Sequence, residues 1–388
     1  MKRILLVDLD AFFVSVETAA NPLLRQKPVI VGGRQDARGV VASASYEARV
    51  SGVRAGMPLK KAFKLCPEAI FIQGDFEKYR QASRAFMEIL NEFSPDLEPE
   101  SLDEAYLELT DQDPVVTALE IKEQVRNRLG LPSSIGIGSS KLIAKIACEL
   151  SKPNGLFEVA PGSEKEFLEM LPVDRLPGVG PKRKAILKKM GINTIGELSK
   201  MPLSILRDYF GSYGAILHDF SLGLDNRTLE PPAPMLSLSH QITFPADTRD
   251  ISYILGIASL LSQKVAYELR LNKKQGRCIF IKIRFADFAT ISRQKILVNS
   301  TDDEQIIASI ARWLLGKVIA ADKRNLRLLG VGVSRLSEAA IQLSLTDDYL
   351  KSNSLNQAID KIRAHFGFSS IKTGETLVPK RPFDKKPN

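Results

Sequence analysis

The apolar positions of this chain change period several times along its length. Residues 3–9, RILLVDL, are a short apolar run ending in acid, and residues 28–33, PVIVGG, are a second run ended by glycines; both predict buried strands. Ala82, Phe86, Ile89, Leu90 and Phe93 recur at helical spacing and predict a helix over 76–93. Pro95 and Pro99 then punctuate the chain, and the runs 97–102 and 105–109 flank Asp103-Glu104. That pattern predicts a β-hairpin or tight bend with the acids at its tip. A bend matters because successive side chains of a strand point to opposite faces. A helix near 114–129, a strand at 135–138, a helix capped by Ser139 or Ser140 and a turn at Pro153-Asn154-Gly155 follow. Residues 164–230 read as compact and helical, and Glu230-Pro-Pro-Ala-Pro234 reads as a linker. Beyond it, a helix at 251–271, strands at 278–285 and 290–298, a helix at 302–318 and a strand at 326–334 make a small α+β domain. Leu355, Ile359, Ile362 and Phe366 then recur at helical spacing, which predicts a short amphipathic helix packed on the body or on a partner.

The length of 388 residues fits two to three domains. With 44% hydrophobic and 26% charged residues, the composition is that of a soluble globular protein. No run of 18 apolar residues exists, which rules out an apolar helical span. The apolar stretch before Asp8 is too short for a signal-peptide core, so a cytoplasmic location is expected. Cys66, Cys148 and Cys278 are far apart, as are His218, His240 and His365, and no zinc spacing is present. A metal here is expected on carboxylates, which suits a hard ion such as Mg²⁺. The net charge of +9 is unevenly spread: residues 1–163 carry 20 basic and 22 acidic side chains, whereas 231–338 carry 16 and 9. An acidic first half with a basic remainder predicts a metal-binding catalytic part followed by a polyanion-binding part.

Four constellations carry chemistry. In VDLDAFFVSVE, residues 7–17, an apolar strand delivers Asp8 and Asp10 at its end, and SLDEAYLEL, residues 101–109, supplies Asp103 and Glu104 from a second strand end. Carboxylates brought together repel unless a cation neutralises them. Two Mg²⁺ ions bridged by carboxylates are the recurring device for in-line phosphoryl transfer, one activating the attacking oxygen and the other steadying the leaving group. In ASYEARVSGVRAGMP, residues 44–58, Tyr46, Arg49 and Arg54 place an aromatic beside cations able to grip phosphate. In LPGVGPKRKAILKKMGI, residues 176–192, two short helices are expected to meet at Gly178-Val179-Gly180, ahead of Lys182, Arg183 and Lys184. That fits a helix-hairpin-helix binding nucleic-acid backbone without regard to sequence. It is not a dinucleotide fingerprint, since Arg183 stands at the third glycine position. The segment GIGSSK lacks the spacing of a phosphate loop.

VDLDAFF, ASYEAR, SLDEAYLEL and SKPNG, in that relation along the chain, resemble the Y-family translesion DNA polymerases and, within them, the DNA polymerase IV-like branch. The resemblance runs from Met1 to about Leu336. It implies an α+β multidomain fold, a right-hand polymerase. Residues 1–10 and 75–163 would be a palm with an antiparallel sheet, 11–74 small fingers, and 164–230 a helical thumb carrying the hairpin. Residues 231–236 would be a linker, 237–338 a DNA-gripping little finger and 339–388 a tail.

Carried over residue by residue, the resemblance implies that Asp8 and Asp103 hold both metals, with the Leu9 carbonyl completing one shell. Glu104 would ligate the metal that activates the primer 3′-hydroxyl, and Asp10 would support them from behind. Phe13 falls at the position of an aromatic steric gate against a ribose 2′-hydroxyl. Ser43, Tyr46, Arg49 and Lys152, with the N–H of Phe12, would hold the dNTP triphosphate. Val40, Ala42 and Gly56 would form the roof over the nascent base pair, and their small size implies low fidelity. Gly178, Gly180 and Lys182 would contact DNA backbone. The implied activity is template-directed DNA synthesis by a monomer acting on primer-template DNA, without proofreading and without a membrane partner.

Two other readings share the palm: a nucleotide cyclase, which the hairpin and basic domain argue against, and an inactive DNA-binding scaffold, which retention of Asp8, Asp103 and Glu104 argues against. In the tail, Gln342, Leu343 and Leu345 of QLSL resemble the motif by which bacterial polymerases dock on the sliding clamp, although Thr346 stands where an aromatic usually follows.

Overall fold

A computed structural model describes residues 2–231, 233–338 and 347–374, the stretch 347–353 by its backbone. The chain divides into two compact units, Met1–Ala233 and Pro234–Asn388.

In the first unit, β1 (Arg3–Leu9) turns directly into α1 (Phe12–Ala20). A small lobe follows, made of β2 (Val29–Val31), β3 (Ser43–Ala44), α2 (Tyr46–Val50), α3 (Leu59–Leu65) and β4 (Ile70–Ile72). The chain returns through α4 (Phe76–Phe93), the hairpin β5 (Leu97–Pro99) and β6 (Glu104–Leu109), then α5 (Pro114–Leu129), β7 (Ser133–Gly138), α6 (Lys141–Ser151) and β8 (Leu156–Glu158). The larger sheet runs β5-β6-β1-β7-β8. Its pairs are antiparallel except β7 with β8, so the expected antiparallel sheet carries one parallel edge. The lobe's own sheet, β3-β2-β4, packs Ile30, Val41, Ala44 and Leu59 into a separate small core.

β1 is buried along its whole length, and apolar from Ile4 to Val7, because both its faces are covered. Leu5, Val7 and Leu9 meet Phe86, Ile89 and Leu90 of α4 and Ile121 and Val125 of α5. Ile4 and Leu6 point the other way, to Ala144 and Cys148 of α6. Asp75 and Asp113 accept backbone N–H bonds at the starts of α4 and α5, which begin and end where the apolar period predicts. α6 rides directly on the backbone of β7. A Cβ on Gly136 would fall 2.1 Å from the Ala144 carbonyl oxygen and 2.2 Å from the Cys148 nitrogen.

The helical stretch comprises α7 (Glu164–Glu169), α8 (Pro181–Lys189), α9 (Ile195–Ser199), α10 (Leu203–Phe210) and α11 (Tyr213–Ser221). Leu168, Leu187, Leu198, Leu206 and Leu217 form its core together with Leu142, Ile143, Ile146 and Ala147 of α6. A 3₁₀ turn, Val173–Arg175, stands before the Gly-Val-Gly segment in place of the expected first helix. The short Asp174-Arg175-Leu176-Pro177 connection leaves no room for a full α turn, because Pro177 cannot continue a helix.

The second unit is a four-stranded antiparallel sheet, β9 (Ser237–Thr248), β10 (Lys274–Phe285), β11 (Thr290–Thr301) and β12 (Leu326–Glu338), in the order β11-β10-β12-β9. α12 (Ile251–Leu271) and α13 (Glu304–Ala321) cover one face, sharing a core with Ile279, Ile281, Ile283 and Phe285. α14 (Asp347–Phe366) follows, and the helix expected in the tail is there, but its docked side is not the expected one. Leu355, Ile362 and Phe366 are exposed, while Asn356 and Arg363 are buried. The polar starts of α13 and the flank of α12 supply what that side meets: Arg270 donates twice to Asp360 (2.6 and 2.8 Å), and Arg363 donates to Glu304 (3.2 Å) and Gln263 (3.3 Å). Gln342, Leu343 and Leu345 lie outside the described residues. Among the described residues, no helix is long and apolar enough to cross a membrane.

Candidate active site

The end of β1 is tied to the bend before β6. Asp8 stands opposite Glu104 in the strand register, and the Leu9 N–H donates to the Asp103 carbonyl at 2.9 Å. The sequence reading put both acids at the hairpin tip; the structure places Asp103 in the bend and Glu104 as the first residue of β6. The pleat then sends the two side chains to different partners. Asp8 accepts from Lys152 Nζ at 2.7 Å, Glu104 pairs with Lys145, and Asp103 accepts from Ser101 Oγ at 2.6 Å. Asp103 and Glu104 lie within electrostatic reach of Asp8, although among the described residues no three acids, cysteines or histidines are gathered as one metal-ligand cluster. One oxygen of each carboxylate is taken by a protein donor. Burial pushes the Asp8 carboxyl up to about 7, with Asp103 and Glu104 adding to the rise against the pull of Lys152. A buried acid beside two more acids demands cationic neutralisation, and the donors are hard oxygens, so the residues fit Mg²⁺.

Asp10 is almost wholly buried. It accepts from Tyr46 Oη (2.9 Å), Ser134 Oγ (2.9 and 3.0 Å) and the Asn154 N–H (2.8 Å), and so binds the small lobe, β7 and the Pro-Asn-Gly turn to one carboxylate. Burial and then Asp10 push the Tyr46 phenol above its ordinary range. Lys152, at the end of α6, bridges Asp8 and Glu149 (2.6 Å) and is followed by a cis peptide bond to Pro153.

Arg49 stacks over the Tyr46 ring at 4.6 Å and donates to the Ala44 carbonyl at 3.0 Å, while Ser43 is buried in β3. Arg54 donates to the Arg49 and Val53 carbonyls, so it braces α2. Val40, Ala42 and Gly56 are brought together by a strand-like pairing: Val41 N–H to the Met57 carbonyl and Gly56 N–H to the Val41 carbonyl, each 2.8 Å, with Val40 bridged to Pro58. All three are exposed, and Gly56 has φ 81°, a left-handed conformation that disfavours a side chain. Phe12 is buried; Phe13, beside it at the start of α1, is half-buried, with its ring against Tyr79.

At the Gly-Val-Gly segment, Gly178 has φ 86°, and Gly180 caps α8. Tyr213 Oη donates to the Pro177 carbonyl at 2.9 Å, and Arg183 lies over the Tyr213 ring at 3.9 Å while donating to the Gly178 carbonyl at 2.7 Å. Arg183 therefore builds the turn, whereas Lys182 points to solvent. In the second unit, the sheet face away from α12 and α13 carries Lys282 opposite Gly330, Arg284 opposite Leu328, and Phe280, whose ring lies over Gly332 of β12.

Local sequence did not reveal Lys145, Ser134 and Asn154, whose acidic partners come from distant segments. The Lys141–Lys145 spacing, one helical turn, was the only local sign for Lys145.

Residues 7–149 match the impB/mucB/samB family model, residues 236–345 that family's C-terminal domain, and residues 174–225 the thumb domain of DNA polymerase iota. The chain is 45% identical over 388 residues to DNA polymerase IV of Dehalococcoides mccartyi, covering 99% of this chain and 100% of that one. It is 40% identical over 376 residues to DNA polymerase IV of Desulfatibacillum aliphaticivorans, covering 94% of each. Among solved structures it is similar to a Y-family DNA polymerase chimera of Dbh and Dpo4, with a TM-score of 0.78 and 28% identity over 86% of this chain and 98% of that one. An insertion ternary complex of Dbh DNA polymerase matches with a TM-score of 0.62 and 29% identity over the same shares.

An acid-ended sheet coupled to a small lobe and a helical region is the right-hand arrangement of a nucleic-acid polymerase, and these neighbours share it. On the extent of the matches, the chain belongs to the Y-family DNA polymerases, in the DNA polymerase IV-like branch, and is a DNA-directed DNA polymerase of translesion synthesis.

Proposed function

We propose that the chain extends a primer by attack of its 3′-hydroxyl on the α-phosphate of a dNTP, releasing pyrophosphate. The observation that carries this reading is the joining of two acidic turns by the Leu9 N–H bond to the Asp103 carbonyl, with Asp8 opposite Glu104. Asp8, Asp103, Glu104 and the Leu9 carbonyl would hold two Mg²⁺ ions, which when bound would supply charge neutralisation at the transferred phosphate and activation of the hydroxyl.

The chain's own groups do the rest. Tyr46, Arg49, Ser43 and Lys152 grip the triphosphate with the N–H of Phe12, and Asp10 holds Tyr46 and the Asn154 turn at fixed separation for that grip. Phe13 closes the sugar pocket to a 2′-hydroxyl. Val40, Ala42 and Gly56 press little side chain on the base pair, which supports low fidelity. Gly178, Gly180 and Lys182 hold DNA backbone, and the Lys282–Arg284 face holds the duplex.

We assign residues 1–10 and 75–163 to the palm, 11–74 to the fingers, 164–230 to the thumb, 231–236 to a linker and 237–338 to the little finger. The matched segments leave no stretch of domain size within these residues for proofreading. The protein works as a monomer, and Gln342, Leu343 and Leu345 tether it to a sliding clamp, which would raise its effective concentration at the primer end.

Primer extension with Mg²⁺ tests this. Asp8→Asn, Asp103→Asn and Glu104→Gln should each lower single-nucleotide insertion by about 10²–10³-fold or more, with affinity for primer-template unchanged. Near-parental insertion by folded Asp103→Asn protein overturns the mechanism.

A further inference from the structure

Helix α1 presents Phe13 and, one turn on, Glu17 on the same side. The facing helix α4 answers both with consecutive residues. The Phe13 ring stacks on Tyr79, with centroids 4.3 Å apart and planes 18° apart, and Phe76 closes the aromatic cluster edge-on at 5.6 Å. Tyr79 is completely buried, and its Oη donates to Glu17 Oε1 at 2.7 Å. Lys78 Nζ donates to the other oxygen of the same carboxylate, also at 2.7 Å. Burial and the Glu17 bond hold the Tyr79 phenol above its ordinary range, so the hydroxyl keeps its proton and remains the donor.

This carboxylate touches none of the groups assigned to metal, triphosphate or DNA. Its side chain is mostly shielded, and a shielded carboxylate is costly unless paired and hydrogen-bonded. Here it is satisfied by two charge-assisted or charged bonds to one neighbouring helix turn. The geometric effect falls on Phe13. A stacked ring is free to slide in its own plane, because stacking is weakly directional. The hydroxyl bond to Glu17 removes that freedom from Tyr79, and the shared helix α1 fixes Glu17 relative to Phe13. Gate ring, backing ring and carboxylate thus form a closed loop across α1 and α4.

We propose that Glu17 is a positioning residue for sugar discrimination: by pinning Tyr79 through its hydroxyl, it keeps the Phe13 ring from yielding to a ribose 2′-hydroxyl. This rests on the reading of Phe13 as the sugar gate. A gate rejects one extra oxygen only if it does not move by about 1 Å when pressed.

The test is the ratio of kcat/KM for a dNTP to that for the matching rNTP, in single-nucleotide insertion, for Glu17→Ala, Glu17→Gln, Tyr79→Phe and Phe13→Val, with the thermal midpoint of each. Phe13→Val should collapse the ratio. Glu17→Ala and Tyr79→Phe should each lower it about tenfold, the size expected for losing one hydrogen bond to a charged group, mainly by raising rNTP insertion. Glu17→Gln, which still accepts from Tyr79, should restore most of it. A parental ratio in Tyr79→Phe, or an equal fall for both sugars, would show that the network only supports the fold and would overturn the inference while leaving the gate intact. A parental ratio in Phe13→Val would instead overturn the gate reading itself. Tyr79→Phe removes a single oxygen, so it keeps the question answerable should Glu17→Ala fold poorly.

Discussion

A single methyl group decides whether α6 can lie where it does. At Gly136 the new carbon would sit inside the contact distance of two α6 backbone atoms, neither of which can swing aside. Gly136→Ala should therefore destabilise by about 1–3 kcal/mol or more, seen as a lower midpoint in thermal unfolding. Gly180→Ala, at a position with open space and negative φ, should leave the midpoint unchanged. An unchanged midpoint for Gly136→Ala would mean that α6 can lift from the sheet. The same scale shows what sequence could tell about the site. Asp8, Asp103 and Glu104 stand in short motifs whose chemistry is local and therefore legible. Lys152 stands in such a motif too, but its contact with Asp8, like that of Lys145 with Glu104, was not legible, because a contact between residues 144 or 41 positions apart exists only after the sheet has formed.

Among elements, α4 and α5 were legible to the residue, since an apolar stripe of helical period, an Asp cap and flanking prolines all agree. β9 was not read at all. Its inward positions, Leu238, His240, Ile242 and Phe244, do alternate, but His240 interrupts the apolar series, and the proline-rich linker just before it argued for a loop. α14 was placed correctly and its buried side misjudged, because periodicity reports apolar spacing and this helix docks through Asn356, Asp360 and Arg363. The turn before α8 belongs to this scale too. Arg183 is consumed by Tyr213 and the Gly178 carbonyl, which leaves Lys182 to face a ligand. Lys182→Ala should weaken DNA binding for all sequences alike and reduce the slope of log affinity against log salt by about one. Fluorescence anisotropy over a salt series reads that slope; a parental slope would place the hairpin's phosphate contact on another residue.

For the molecule as a whole, the second unit contains a buried charged joint that its sequence did not announce. Arg363 is shut from solvent between Glu304, Gln263 and the Phe368 ring (4.6 Å), and Arg270–Asp360 reinforces it. Removing one partner of a buried pair leaves an uncompensated charge, a loss of about 3–5 kcal/mol. Arg363→Ala should therefore release α14, raising amide exchange over 354–366 by on the order of 10²-fold or more, while α12 and the sheet stay protected. Exchange at the parental rate would mean that α14 is held by other contacts.

α6 gives the first unit a different character from a set of separable modules. One side of it closes the sheet core through Ala144 and Cys148, and another side supplies Leu142, Ile143, Ile146 and Ala147 to the core of α7–α11. It is a party wall: neither room can be taken down alone. The sheet and the helical region should therefore melt as one cooperative unit, and a strain applied at the Gly-Val-Gly turn would be transmitted through a stiff rod whose length also carries Lys145 and whose end carries Lys152. On the roles proposed for the hairpin and the acids, gripping and chemistry would be mechanically in series.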